Sequence, residues 1–70
     1  SIKNTAYNPI STCILKLDKL TWGFAITKMQ ERDSETKWIV RYVSPKDKTW
    51  YTTESDNLLL ALQNAIDNLE

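Results

Sequence analysis

The run from Thr36 to Ser44 constrains the fold most, because it is the most β-prone stretch of the chain and has a strand-like run on each side. Residues 22–29 place large side chains at alternate positions, and residues 49–53 are Thr and aromatic residues. Residues 30–35 are all polar, and residues 44–48 contain the Pro-x-Asp pattern of a tight turn. The sequence therefore predicts an antiparallel meander of three strands with the 36–44 run in the middle.

A first helix is predicted over residues 9–20, ahead of the strands. Asn8 is a favoured N-cap, and Pro9 is well tolerated at the first helical position. Apolar residues then follow at helical spacing: Ile10, Cys13, Ile14, Leu17 and Leu20. The alternative interpretation of this segment is a strand with apolar residues at every second position from Cys13.

A second helix is predicted after the third strand. It begins in residues 54–57, with Thr53 or Ser55 as the N-cap and with acidic residues in the first turn, where the helix dipole favours them. Its apolar residues repeat every three or four positions: Leu58, Leu59, Leu62, Ala65, Ile66 and Leu69. The opposite side is polar, so we expect this helix to lie on the sheet with one side in solvent.

Together these elements predict an α+β fold in the order helix, three-stranded antiparallel meander, helix, with both helices on one face of the sheet. Seventy residues can build only one small core. We therefore expect a single α+β domain over residues 9–70, preceded by an N-terminal arm over residues 1–8.

The residue types on which most enzymes rely are scarce in this chain. It has no His, one Cys and one Gly, whereas nucleophilic and acid–base catalysis usually need His or a partnered Cys, and phosphate loops need several glycines. Cys13 falls on the apolar side of the first helix, and Glu31, Asp33 and Glu35 share one solvated loop. We therefore expect a non-enzymatic protein with no cofactor and no metal site.

The expected compartment is the cytoplasm. No apolar run approaches the ~20 residues of a membrane helix, and the N-terminal residues lack the charged-then-apolar pattern of a secretory signal. We therefore expect no association with a membrane.

The sheet face away from the helices is predicted to be unusually apolar. The residues expected to point toward the helices include Trp22, Phe24, Trp38 and Val40. The other face then carries Ala25, Thr27, Met29, Ile39, Arg41, Val43 and one of Trp50 or Tyr51. Only one of these two aromatics belongs there, because neighbours on a strand point in opposite directions. A face of this composition is too apolar to be meant only for water.

The leading functional hypothesis is therefore a small interaction module that binds protein through this face. The predicted contact residues are Met29, Ile39, Arg41, Val43, Trp50 and Tyr51, the last two as alternatives. The partner is either a second copy, giving a homodimer, or a different protein. Small regulators from phages and mobile elements that bind host factors are often of this kind. A structural subunit of a larger assembly is an alternative that differs only in its partner.

Nucleic-acid binding is the other alternative, because charge is distributed unevenly along the chain. Residues 1–48 hold all nine Lys and Arg against five acids, and residues 49–70 hold four acids and no base, although the formal net charge is zero. The part of the chain that contains the strands is therefore basic, and the second helix is acidic. A basic surface is the electrostatic signature of nucleic-acid binding.

Residues 37–69 also resemble the arm-type DNA-binding domains of tyrosine recombinases, in which two last strands precede a helix and basic strand residues enter the groove. The resemblance implies DNA contacts by four residues: Lys37, Arg41, Lys46 and Lys48. The order of elements is similar to that of the double-stranded RNA-binding domain. That family has lysines where this chain has Glu54, Ser55 and Asp56, and a His that this chain lacks, so we expect no RNA binding of that type.

Overall fold

The computed structural model describes residues 8–30 and 35–70 of the chain. Its elements in order are α1 (Pro9–Leu20), β1 (Gly23–Gln30), β2 (Thr36–Val43), β3 (Trp50–Ser55) and α2 (Leu58–Leu69). The strands form one antiparallel sheet in the order β1-β2-β3. The predicted α+β fold and its central strand are therefore confirmed. Apart from Asn8, the predicted arm lies outside the described residues, as do residues 31–34 of the predicted hairpin loop.

The helical interpretation of residues 9–20 is confirmed, and its start is capped as predicted. The Asn8 side-chain oxygen accepts hydrogen bonds from the backbone N–H groups of Ile10 and Ser11, at 3.0 and 3.2 Å. These bonds satisfy N–H groups that have no partner within the helix. Leu17 is fully buried in α1, whereas Leu15, which lies off the apolar stripe, is 63% exposed.

The predicted start of α2 is wrong by a few residues. Thr53 and Ser55 belong to β3, and the helix is capped instead by Asn57, whose side chain accepts from the N–H of Leu60 at 3.2 Å. Pairing with β2 keeps these residues extended, and the Thr53 hydroxyl donates to the carbonyl of Ala61 at 2.8 Å. The predicted acidic first turn is also wrong, because the first turn of α2 contains no acid.

The core lies between one face of the sheet and the two helices. Its buried residues are Cys13 and Leu17 of α1, Val40 and Tyr42 of β2, and Ala61, Leu62, Ala65 and Ile66 of α2. Helix α2 packs on β2 and β3, while α1 packs mainly on α2 and reaches the sheet only at β1. Both helices therefore cover the same face, as predicted.

Trp22 does not join this core, contrary to the prediction that it faces the helices. It is 64% exposed, and the Lys48 ammonium lies 5.8 Å from the centre of its ring. Trp22 precedes β1 and lies in the short connection that follows α1, where strand alternation does not set the direction of its side chain. Its backbone N–H donates to the carbonyl of Val43, at the end of the central strand, at 3.2 Å.

The predicted tight turn between β2 and β3 is confirmed. The Ser44 N–H donates to the Thr49 carbonyl at 3.1 Å, and the Lys48 N–H donates to the Ser44 carbonyl at 2.8 Å. The Asp47 carboxylate accepts from the N–H of Thr49 at 3.2 Å, which is the local bond that makes Asp common in turns. This turn sets the register of β3 against β2, and so decides which β3 side chains share a face with Arg41.

Candidate functional site

The sheet face opposite the helices, called here the open face, is assembled from all three strands. Val40 and Tyr42 point into the core, so the residues of β2 that alternate with them point the other way. The strand register then places these residues on the open face: Gly23, Ala25, Thr27 and Met29 of β1, Lys37, Ile39, Arg41 and Val43 of β2, and Trp50, Thr52 and Glu54 of β3. Neither of the described helices packs on this side.

Large apolar side chains on the open face are accessible. Trp50 is 55% exposed and Met29 is 46% exposed, while Ile39 and Val43 remain only half-buried at the centre of the sheet. Arg41 lies between the last two and is exposed. The structure thus brings together five of the predicted contact residues on one continuous surface.

Tyr51 is the predicted contact residue that lies elsewhere. It pairs with Tyr42 across the sheet, and the two rings are stacked with their centres 5.7 Å apart. Trp50 pairs with Val43 and is therefore the aromatic of the open face. The register resolves the choice between these neighbours, which alternation along the strand leaves open.

Tyr51 instead anchors the β2–β3 turn. Its hydroxyl donates a hydrogen bond to the Asp47 carboxylate. This hydrogen bond raises the pKa of Tyr51, with smaller contributions from desolvation and from the negative charge of Asp47. The phenol therefore stays protonated, and keeps the bond, above the pH at which an ordinary tyrosine ionises.

Arg41 and Trp50 form a cation–π pair on the open face. The guanidinium carbon lies 5.2 Å from the centre of the indole ring, within the range of a cation–π interaction. The ion pairs among the described residues are Lys16 with Glu70 and Lys37 with Glu54, so within residues 8–30 and 35–70 Arg41 has no carboxylate partner. No hydrogen bond from the Arg41 guanidinium to another described residue accompanies this contact, so among these residues its N–H donors are available to an anion.

The four residues of the predicted DNA-binding set do not form one continuous basic track. Lys37 is paired with Glu54 at 3.6 Å. The β2–β3 turn, which carries Lys46 and Lys48, lies about 20 Å away at the other end of β2, and Asp47 separates these two lysines in the chain. The structure therefore brings Lys46 and Lys48 to one turn and leaves Lys37 apart from them.

Sequence reasoning missed the contact between Arg41 and Trp50. Arg41 pairs directly with Thr52, and Trp50 is its diagonal neighbour, two residues along β3. The signal that identifies such a contact is the length of the β2–β3 turn, because it fixes the register.

Other functional features are few in the part of the chain that the structure describes. Cys13 is buried in the core. No group of three or more Cys, Asp or Glu side chains is placed to hold a metal ion within residues 8–30 and 35–70. Neither described helix is long and apolar enough to span a bilayer. Comparison with known protein families, with curated proteins and with solved structures finds no match to this chain.

Proposed function

We propose that this protein is a small non-enzymatic interaction module that binds another protein surface through its open face. The observation that carries the proposal is the position of Trp50 and Met29, both about half exposed, beside the half-buried Ile39 and Val43 on the face that neither described helix covers. An antiparallel sheet can leave one face in water, but that face is then usually polar.

The composition of the open face is typical of a binding surface. Trp and Arg are the residues that most often dominate the binding energy of interfaces, and here Arg41 and Trp50 are in contact. A partner that covers Ile39 and Val43 removes further apolar area from water, and this burial stabilises the complex by roughly 25 cal/mol per Å². A domain with a small core gains stability from such cover. As a module of this kind, the protein acts as a regulator or an assembly subunit by occupying its partner's surface.

A variant that adds charge to the open face tests this proposal. The double substitution Ile39→Asp and Val43→Asp places two carboxylates at the centre of the surface without touching the buried core residues. We expect the variant to keep its circular dichroism spectrum and to lose the proteins that the wild type captures from its host extract, or to become monomeric if the wild type self-associates.

The matched control is Gln63→Asp with Asn64→Asp, which adds the same charge to the exposed side of α2. It should behave as the wild type does in capture and in light scattering. A monomeric wild type whose captured proteins are all retained by the Ile39→Asp, Val43→Asp variant would show that the open face is not the binding surface.

Nucleic-acid binding is the second candidate, and one observation favours it. Trp22 and Trp50 are both exposed, and each has a cation near its ring, Lys48 and Arg41 respectively. Exposed aromatics with neighbouring cations are the combination that stacks bases and holds phosphates. We rank it second because the cations are discontinuous along the sheet.

A further inference from the structure

We infer that the partner of the open face is an acidic protein segment, one that places a carboxylate on Arg41 and apolar side chains against Ile39 and Val43. This inference rests on the proposed function and names the chemistry of its partner. It is carried by the environment of Arg41, which combines a cation–π contact with Trp50, the apolar neighbours Ile39 and Val43, and the absence of a carboxylate partner among the described residues.

The position of Arg41 requires the partner to supply an anion. A guanidinium stays charged under all ordinary conditions, and the contact with the Trp50 ring does not neutralise that charge. A purely apolar partner that covered Ile39 and Val43 would bury this charge without compensation, which is strongly unfavourable. A carboxylate matches the planar fork of the guanidinium and accepts two parallel hydrogen bonds from it.

Within residues 8–30 and 35–70, the open face does not provide that carboxylate. Its acid among the described residues is Glu54, which is already within 3.6 Å of the Lys37 ammonium. The three strands therefore place two cations, Lys37 and Arg41, against one acid on this face, and Glu35 lies beyond the Lys37 end of β2, away from Arg41. Since no described residue pairs with Arg41, we assign the missing negative charge to the partner.

A second copy of this chain fits these requirements less well than an acidic partner. Two copies packed face to face bring the same excess of positive charge together. The face is about 14 by 26 Å, from three strands of up to eight residues. This is roughly 360 Å² of projected area on each copy, or about 700 Å² for two copies, which is small for a specific interface.

The apolar residues around Arg41 favour a protein segment over nucleic acid. Ile39, Val43 and Met29 offer nothing to a phosphate backbone but match apolar side chains. The remaining cations of the DNA-binding set lie at the two ends of β2, and Lys37 is already paired. A polyphosphate would therefore find one central cation in an apolar surface rather than a track.

A selection from a library of random displayed peptides tests the inference. The wild type, an Arg41→Glu variant and the Ile39→Asp, Val43→Asp variant are immobilised after circular dichroism has shown that each is folded. We expect the wild type to select peptides rich in Asp and Glu next to apolar residues. The peptides selected by Arg41→Glu should instead be rich in Lys and Arg. A variant that is merely destabilised cannot produce this reversal.

One selected peptide, made synthetically, then gives the affinity by fluorescence anisotropy. Arg41→Gln should weaken its binding by about tenfold or more, because the partner's carboxylate loses its counter-charge. Trp50→Ala should also weaken it, because it removes an exposed aromatic of the open face and the cation–π contact of Arg41. The control is the single substitution Lys46→Gln in the β2–β3 turn. It should leave the affinity within about twofold of the wild type, because Lys46 lies outside the central patch.

The possible failures separate the inference from the proposed function. Selected peptides that need Ile39 and Val43 but show no excess of acids would overturn the inference and leave the proposed function standing. Recovery of the same peptides by the Ile39→Asp, Val43→Asp variant would overturn both. Two further results would overturn the inference that the partner is an acidic segment. One is a stable wild-type dimer that the Ile39→Asp, Val43→Asp substitutions dissociate. The other is an oligonucleotide that binds more tightly than any peptide at ~150 mM salt.

Discussion

Leu60 and Leu62 lie two positions apart on α2 and have opposite environments. Leu62 has no exposed surface, whereas Leu60 is 50% exposed. We expect Leu62→Ala to lower the free energy of unfolding by ~2–5 kcal/mol, because it removes apolar contacts and leaves a cavity. Leu60→Ala should change it by no more than ~0.5 kcal/mol. Urea denaturation of both variants measures the difference, and equal losses would mean that α2 packs through another side.

Tyr51 links the stability of the β2–β3 turn to alkaline pH. Because its pKa is raised in the folded protein, its bond to Asp47 contributes fully below pH 10.0, the ordinary tyrosine value, and the contribution is lost as pH rises through the raised pKa. The phenolate absorbance of wild type minus Tyr51→Phe should therefore titrate above that value. Asp47→Asn should move the titration down toward it. If Tyr51 titrates at the same pH with Asp47 and with Asp47→Asn, the hydrogen bond does not form in solution.

Side-chain alternation accounts for what could be predicted at single positions, and for what could not. Val40 and Ile39 are on the expected faces because β2 is covered by helices on one side only. Trp50 and Tyr51 could not be separated, because either register of β3 gives a regular alternation. The direction of Trp22 was predicted wrongly, since that residue precedes β1 and follows no period.

At the level of elements, Asn57 decides where α2 begins. Its side chain accepts from the N–H of Leu60, and replacing such a cap with Ala typically costs ~1 kcal/mol. We expect this loss in thermal or urea unfolding of Asn57→Ala. The control is Asn64→Ala on the exposed side of the same helix, where Ala is the better helix former and stability should stay constant or rise slightly. A similar loss in both variants would argue against the cap.

Helices and strands were predicted well where burial imposes a period, and less well at their ends. Both helices keep an apolar side because each packs against the same core. The start of α2 was placed too early because Thr53 and Ser55 have good capping side chains, yet pairing with β2 holds both of them in the sheet. The preference of Thr53 and Ser55 for a helix N-cap was outweighed by their contacts with β2, whose residues are distant in the sequence.

The four cations of the predicted DNA-binding set are discontinuous, and this bears on nucleic-acid binding. We expect no appreciable binding of DNA or RNA at ~150 mM salt, because discontinuous cations release few counterions together. Fluorescence anisotropy with labelled single- and double-stranded oligonucleotides measures this. A micromolar or tighter complex that disappears when Lys37, Arg41, Lys46 and Lys48 are reversed in charge would make nucleic acid the preferred partner class.

The candidate surface was only partly predictable from the sequence. Alternation along β1 and β2 was enough to group Met29, Ile39, Arg41 and Val43, because the helices occupy the opposite face. The Arg41–Trp50 contact depends on the register of β3, which turn geometry sets and composition does not reveal. Side-chain periodicity reports which residues are buried and not which partner binds, so the partner has to be identified by experiment.

The open face should be the surface that becomes covered when the protein binds its partner. Hydroxyl-radical footprinting measures this directly, by comparing side-chain oxidation in the free protein and in the complex that the tagged protein captures. We predict that Met29 and Trp50 become protected, while the exposed Leu15 and Leu60 on the helices are oxidised as before. Protection of Leu15 and Leu60, with Met29 and Trp50 unchanged, would contradict the claim and place the binding surface on the helices.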